Sequence, residues 1–321
     1  MNPAHPAHAV DPPARAAALL VLACLFWAGV FVIGRGVRDS VPPMALTFIR
    51  FVIAALVLLP IAWRPLRVEW RRVLAAWRWF LVLGVMAIGL FPVLLLLALA
   101  RTTAINGSLI NSVQPVMTVA LAYLVARETF SRRQGLGLAA SLTGVLVIVT
   151  GGDPLLIARL ELNTGDLMIV LALVLWTLYT VALRHLPADL HPNVVALAII
   201  VVGIPFAVPL FALEVAAGRL PTFDLGTVAT IAYFGVLPSA LALLFWNRGV
   251  AALGANRAGV FVHLIPVFAI VLAIAFLGEQ PKGFHAVGMA LVLAGVALAT
   301  FRRATGRDRS TVAEAGPDAE R

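Results

Sequence analysis

Long apolar runs alternate with short polar breaks along nearly the whole chain. Ten runs stand out, at 16–35, 44–63, 79–100, 103–126, 132–150, 165–183, 193–213, 226–246, 254–277 and 283–301. Each is close to the ~20 residues that a helix needs to cross a hydrocarbon core ~30 Å thick. In lipid a backbone must satisfy its own polar groups, so each run is expected to be a helix. The pattern predicts an all-α membrane protein with ten transmembrane helices.

The fourth run breaks the pattern. Asn106, Ser108, Asn111, Ser112 and Gln114 crowd the half before Pro115, and the rest is apolar up to Glu128. The same outline returns further along, where Ala255, Pro266 and Glu279 stand opposite Ala104, Pro115 and Glu128. Without any gap, that offset also pairs Gly84 with Gly235, Gly137 with Gly288, and Gly144 with Gly295. Such matching marks a tandem duplication with five runs in each copy. The expected organisation is a disordered N-terminal tail (1–14), a first five-helix repeat (15–150), a linker (151–164), a second five-helix repeat (165–302) and a disordered C-terminal tail (303–321).

Composition agrees with a lipid solvent: 62% of residues are hydrophobic, 12% are charged, and mean hydropathy is +1.00. A net charge of +9 would suit a nucleic-acid binder if it were patched, but the cations follow the breaks instead. Arg64, Arg67, Arg71, Arg72, Arg78, Arg132, Arg133, Arg302, Arg303, Arg307 and Arg309 fall on one side of the membrane, whereas the other side has only scattered ones such as Arg101, Arg159 and Lys282. This positive-inside bias places both termini in the cytoplasm and leaves no nucleic-acid partner. An odd number of spans per copy then makes the halves two inverted five-helix repeats, the architecture of secondary transporters. The first run is too long for a signal-peptide core and is expected to stay as an anchor. Cys24 is the single cysteine, so no disulfide or CxxC site is expected, and His5 and His8 are too few for a metal. The presence of one lysine points to a GC-rich bacterium and hence to an inner membrane.

Candidate chemistry is sparse. Trp27 and Phe31 share a face of span one, and span six echoes them with Trp176, Tyr179 and Thr180. Trp63, Trp70, Trp77 and Trp79, interleaved with arginines, fit an interfacial belt instead. Arg50 is an intramembrane charge, a candidate for function or for snorkelling. Proline breaks occur at Phe91-Pro92 and at Pro238-Ser239, the latter followed by Phe245-Trp246-Asn247. Asn111, Gln114 and Thr118 form one polar stripe beside the carbonyl that Pro115 frees, suited to a cavity lining. In span nine the stripe becomes Ala258, Val262, Ile265 and Ala269, and His263, beside it, is the side chain in mid-membrane able to titrate near neutral pH. Glu128 and Glu279 are expected to cap helices, and Gly137-xxx-Ser141 and Ala290-xxx-Ala294 to be close-packing faces.

Trp27, Pro43 followed by Arg50, and the doubled Ala…Pro…Glu unit resemble the EamA-type drug/metabolite transporter superfamily over nearly the whole chain. The resemblance implies a central pocket lined by spans one, three, four, six, eight and nine, alternating access, and export of amino acids, metabolites or toxic compounds. Ile199 stands where a second Arg50 would be, a departure from the pattern. The expected substrate-binding set is Trp27, Phe31, Phe91, Asn111, Gln114, Trp176, Tyr179, Asn247 and His263. The partners would be a small-molecule substrate, the lipid bilayer and a coupling proton, with no metal and no cofactor. An enzyme would need paired carboxylates or a nucleophile with a base inside the spans, and no Asp or Glu lies in mid-span. A channel would show charged rings. A non-transporting scaffold or receptor is the alternative that a flux measurement separates.

Overall fold

The computed structural model describes residues 11–33, 41–99, 101–102, 104–127, 129–159, 161–222, 224–278 and 280–300. Most of the expected tails (1–10 and 303–321), Glu128, Glu279 and the side chain of Phe31 lie outside the described residues. Among those described, every regular element is helical.

The first half runs α1 (Pro13–Ile33), α2 (Pro43–Ala75) and α3 (Trp77–Gly84), which passes through a π-helical segment (Val85–Leu90) into α4 (Phe91–Leu99). Then come α5 (Ala104–Ser112), α6 (Gln114–Ala126), α7 (Arg132–Val149) and a short α8 (Leu155–Ala158). The second half runs α9 (Thr164–Ala182), a 3₁₀ turn (Leu183–His185) and α10 (Pro192–Ala216). Next is α11 (Leu225–Phe234), which passes through a π segment (Gly235–Leu241) into α12 (Ala242–Leu253). The last elements are α13 (Ala255–Val260), a 3₁₀ turn (Phe261–His263), α14 (Leu264–Leu277) and α15 (Gly283–Thr300). Eight helical stretches among the described residues are long and apolar enough to cross a membrane; Gln114–Val125 is a shorter apolar one.

The ends and breaks have local causes. A capping box of Ser131 and Gln134 starts α7, and one of Asn163 and Asp166 starts α9. Helices α2 and α10 begin with a proline and draw help from each other. Glu214, near the end of α10, accepts from the Ala45 N–H of α2 at 2.8 Å, while Glu69, near the end of α2, accepts from the His191 N–H before α10 at 2.9 Å. Both carboxylates are buried, and each lies where the positive helix N-terminus favours an anion. To reach α10, α2 continues well past the apolar run ending at residue 63, carrying Pro60 and Pro65 within it. Along this extension Trp63 and Trp70 are exposed, and Arg67 and Arg71 sit over their rings at 4.8 and 5.3 Å. That is the composition of an interfacial belt.

Helices α7 and α15 cross at backbone contact. A Cβ on Gly137 would come within 2.6 Å of the Gly295 carbonyl, and one on Gly144 within 2.6 Å of the Gly288 carbonyl. Small residues permit this approach where lipid supplies no hydrophobic drive between helices. The α15 face in contact is thus Gly288, Val292, Gly295 and Ala299; Ala290 and Ala294, expected there from their spacing, are exposed. The two contacts exchange under the offset read from the sequence, so the crossing lies on the internal two-fold. A further pair matches once α2 and α10 are shifted by two residues: Gly84 faces the Ile199 carbonyl and Gly235 the Arg50 carbonyl. Arg50 and Ile199 therefore hold matching places.

Candidate functional site

Both repeats deliver aromatic rings to one place. The Trp27 ring of α1 meets that of Trp176 on α9 edge to face, with centroids 5.4 Å apart, and lies 5.4 Å from that of Trp246 on α12. Phe91, at the start of α4, is 5.1 Å from Trp176, and Tyr179 is 5.2 Å from it. Trp176, Tyr179 and Trp246 are buried, Trp27 and Phe91 half-buried. Aromatic pairs at these spacings add to what their area contributes.

Local backbone irregularity aims the rings. A π turn lets a helix present residues off its ordinary register and leaves carbonyls free, and such turns gather at functional sites. The Val85–Leu90 segment directly precedes Phe91, and the Gly235–Leu241 segment contains Pro238, whose carbonyl accepts from Trp27 Nε1 at 3.1 Å. The two segments occupy equivalent places in the repeats, although only the second carries a proline. Below it, Asn247 Oδ1 accepts from the Tyr179 hydroxyl at 2.5 Å. Asn247 Nδ2 and Trp246 Nε1 are shielded from solvent and have no hydrogen-bond partner.

The structure brings together Trp27, Phe91, Trp176, Tyr179 and Asn247 of the expected set and adds Trp246. That residue was signalled by Phe245-Trp246-Asn247 after a proline break, but one sequence neighbour cannot be ranked above another when a π segment shifts the register. Asn111 is half-buried and Gln114 buried, on α5 and α6, which pack along α9. Among the described residues no hydrogen bond joins them to the aromatic cluster. The break between α5 and α6 falls at Val113, and the carbonyl seen engaged there is that of Ser112. His263 Nε2 lies 3.0 Å from it, and Nδ1 lies 2.7 Å from Ser141 Oγ. His263 thereby ties the start of α14 to α5 and α7, at the repeat interface.

At the chain's two faces, polar groups clasp the ends of these helices. Asp166 accepts from Thr102 and from Asn106 Nδ2 (3.0 Å), joining the start of α9 to the α4–α5 connection. Asp11 is held by Arg248 through two contacts of 2.8 and 2.9 Å, joining the start of α1 to α12.

Comparison with known proteins agrees with this architecture. A transporter from Archaeoglobus fulgidus, otherwise uncharacterised, is 32% identical over 89% of this chain and 97% of its own length. A protein of Streptantibioticus cattleyicolor, named a probable terminal-alkyne amino-acid exporter, is 31% identical over 90% of this chain and 94% of its own. A solved crystal structure superposes with a TM-score of 0.71 over 89% of this chain and 96% of that one, at 20% identity, a likeness of fold. The model of the EamA-like transporter family matches residues 14–150 and matches again at 163–301. Duplicated helical halves, a multi-pass apolar chain and this double match together place the protein: it belongs to the EamA-like transporter family and is a membrane transporter of small solutes.

Proposed function

We propose that the chain is an exporter that carries a small organic solute across the inner membrane by alternating access, with the aromatic cluster as its substrate site. The observation that carries this reading is the convergence of α1 and α4 from one repeat with α9 and α12 from the other on Trp176. In inverted-repeat transporters the site lies between the halves, where rocking one half against the other exposes it to alternate sides. Ten spans are assigned by adding the broken α5–α6 helix and α7 to the eight long apolar stretches. The repeats are taken as 15–150 and 165–302, joined by the linker 151–164, with both termini cytoplasmic.

Substrate contacts are assigned to Trp27, Phe91, Trp176, Tyr179 and Asn247, with Asn111 and Gln114 bordering the path along α5 and α6. The S. cattleyicolor relative's name supports amino acids or their derivatives as cargo. His263 is assigned the coupling proton: a charged ring would donate from both nitrogens, to Ser112 O and Ser141 Oγ, and the Ser141 hydroxyl would then donate to Leu138 O, which lies 3.1 Å away.

An untargeted comparison of metabolites released by cells overproducing the wild-type chain or Trp176→Ala tests the site. The wild type should enrich a small set of solutes in the medium, and Trp176→Ala, inserted at the same level, should not. Equal release by the two would remove the cluster from the transport path, and no enrichment by the wild type would favour a scaffold or receptor.

A further inference from the structure

The polar groups left unpaired in and beside the aromatic cluster give it a chemical direction. Asn247 Nδ2 and Trp246 Nε1 are hydrogen-bond donors, fully shielded and without an acceptor. Leaving a buried donor unfilled is costly, so the site is built for a group that supplies acceptors. Arg50 adds charge. Its Nε is also shielded and unpartnered, and its guanidinium lies 4.6 Å from the Phe51 ring centroid. Its carbonyl faces Gly235, about one turn before Pro238, whose carbonyl holds Trp27. The turn of α2 that bears this cation therefore packs on the π segment that holds Trp27.

Among the described residues there is no such provision for a positive group. The buried carboxylates among the described residues are Glu69, Asp166 and Glu214. Each already accepts from backbone N–H groups at a helix start, of His191, Asn163 and Ala45 respectively. Asp11 is taken by Arg248. A cation could instead lie over an open indole face, but Trp27 and Trp176 meet edge to face, with planes at 84°, so a face of that pair is covered by its neighbour.

We propose that the substrate is recognised through a carboxylate, received by Asn247 Nδ2 and Trp246 Nε1 with Arg50 as the compensating charge, and that any amino group it carries is not read. This rests on the aromatic cluster being the substrate site. Acyl amino acids and plain organic acids are then cargo as good as free amino acids, and amines are not.

The test uses the full chain in lipid nanodiscs and reads ligand binding by thermal shift and tryptophan fluorescence. The probes are the standard L-amino acids, each also as its N-acetyl acid and as its amide. An amino acid that binds should bind about equally well when N-acetylated, and should weaken about tenfold or more as the amide, which lacks the charged acceptor. Asn247→Leu and Arg50→Gln should each erase the preference for acid over amide, and Arg50→Lys should keep it. Amides that bind as tightly as acids, or a panel in which no acid binds, would overturn the proposal. The wild-type comparison decides even if a variant fails to fold. If acids and amides bind alike while Trp176→Ala still abolishes export, the carboxylate reading falls and the site reading stands.

Discussion

Arg127 ends α6 with φ 51°, a left-handed conformation that an L side chain adopts at some expense, whereas its counterpart Gly278 ends α14 with φ 67° at none. Arg127→Gly should therefore raise stability, by about 1 kcal/mol, seen as a higher melting temperature in detergent; a lower one would mean that the Arg127 side chain makes a contact of greater worth. At the site, Asn247→Leu should leave melting nearly unchanged, since it removes one unfilled buried donor, Nδ2, and leaves another, the Tyr179 hydroxyl, while reducing export. Sequence made Trp27, Trp176 and Tyr179 legible because aromatic side chains in mid-span have no belt to join, and Asn247 because it follows a proline-broken span. It did not reveal that Trp246 would be the third indole, nor that His263 would find Ser141, because neither partner is close in the chain. The stripe of Asn111 and Gln114 was equally visible, yet its chemistry depends on which neighbours α5 and α6 meet, something no spacing encodes.

Whole elements were more legible than their joints. Apolar length located the helices because lipid permits little else, but hydropathy cannot distinguish an α turn from a π turn. The segments at Val85–Leu90 and Gly235–Leu241 were accordingly hidden except for Pro238. The length of α2 was hidden for another reason: once the helix leaves the hydrocarbon its sequence turns basic, and only the distant His191 explains why it continues to Glu69. Glu69→Gln and Glu214→Gln should each cost about 0.5–2 kcal/mol, the range of lost caps and dipole contacts. The caps are at opposite ends of the α2–α10 pair, so the double variant should lose the sum in a melting experiment. For the α7–α15 crossing, Gly144→Leu should prevent a monodisperse folded protein, because the Gly288 carbonyl stands 2.6 Å from the new Cβ. Ala290→Leu, on the exposed face, should be silent by the same size-exclusion measurement.

Across the whole molecule, the charge bias and the odd span count make one demand that reporters can check. A cytoplasmic reporter following Arg303 should be active, and so should a periplasmic one inserted in the exposed turn at Gly152–Asp153. Activity of a cytoplasmic reporter at that turn would contradict opposed repeats. The duplication was readable because glycine and proline keep their places where the backbone needs them, at crossings and breaks. The clasps at Asp166 and Asp11 were not readable, since Thr102, Asn106 and Arg248 lie on other elements, far away in the chain.

The bond between His263 and the Ser112 carbonyl carries a history. These are equivalent positions, and in a pair of identical unfused chains one residue would have met its own copy there. Identical chains would carry the same side chain at both places, so a histidine on one side and a serine on the other requires one gene that encodes the two positions separately. The same holds for Ser141, whose counterpart Val292 offers no hydroxyl. Exchanging all four residues, as Ser112→His, His263→Ser, Ser141→Val and Val292→Ser, should thus rebuild the contact in mirror sense and keep the melting temperature, whereas exchanging the first two alone should lower it. The result is a contact at the middle of the molecule that no symmetric assembly of identical chains could encode.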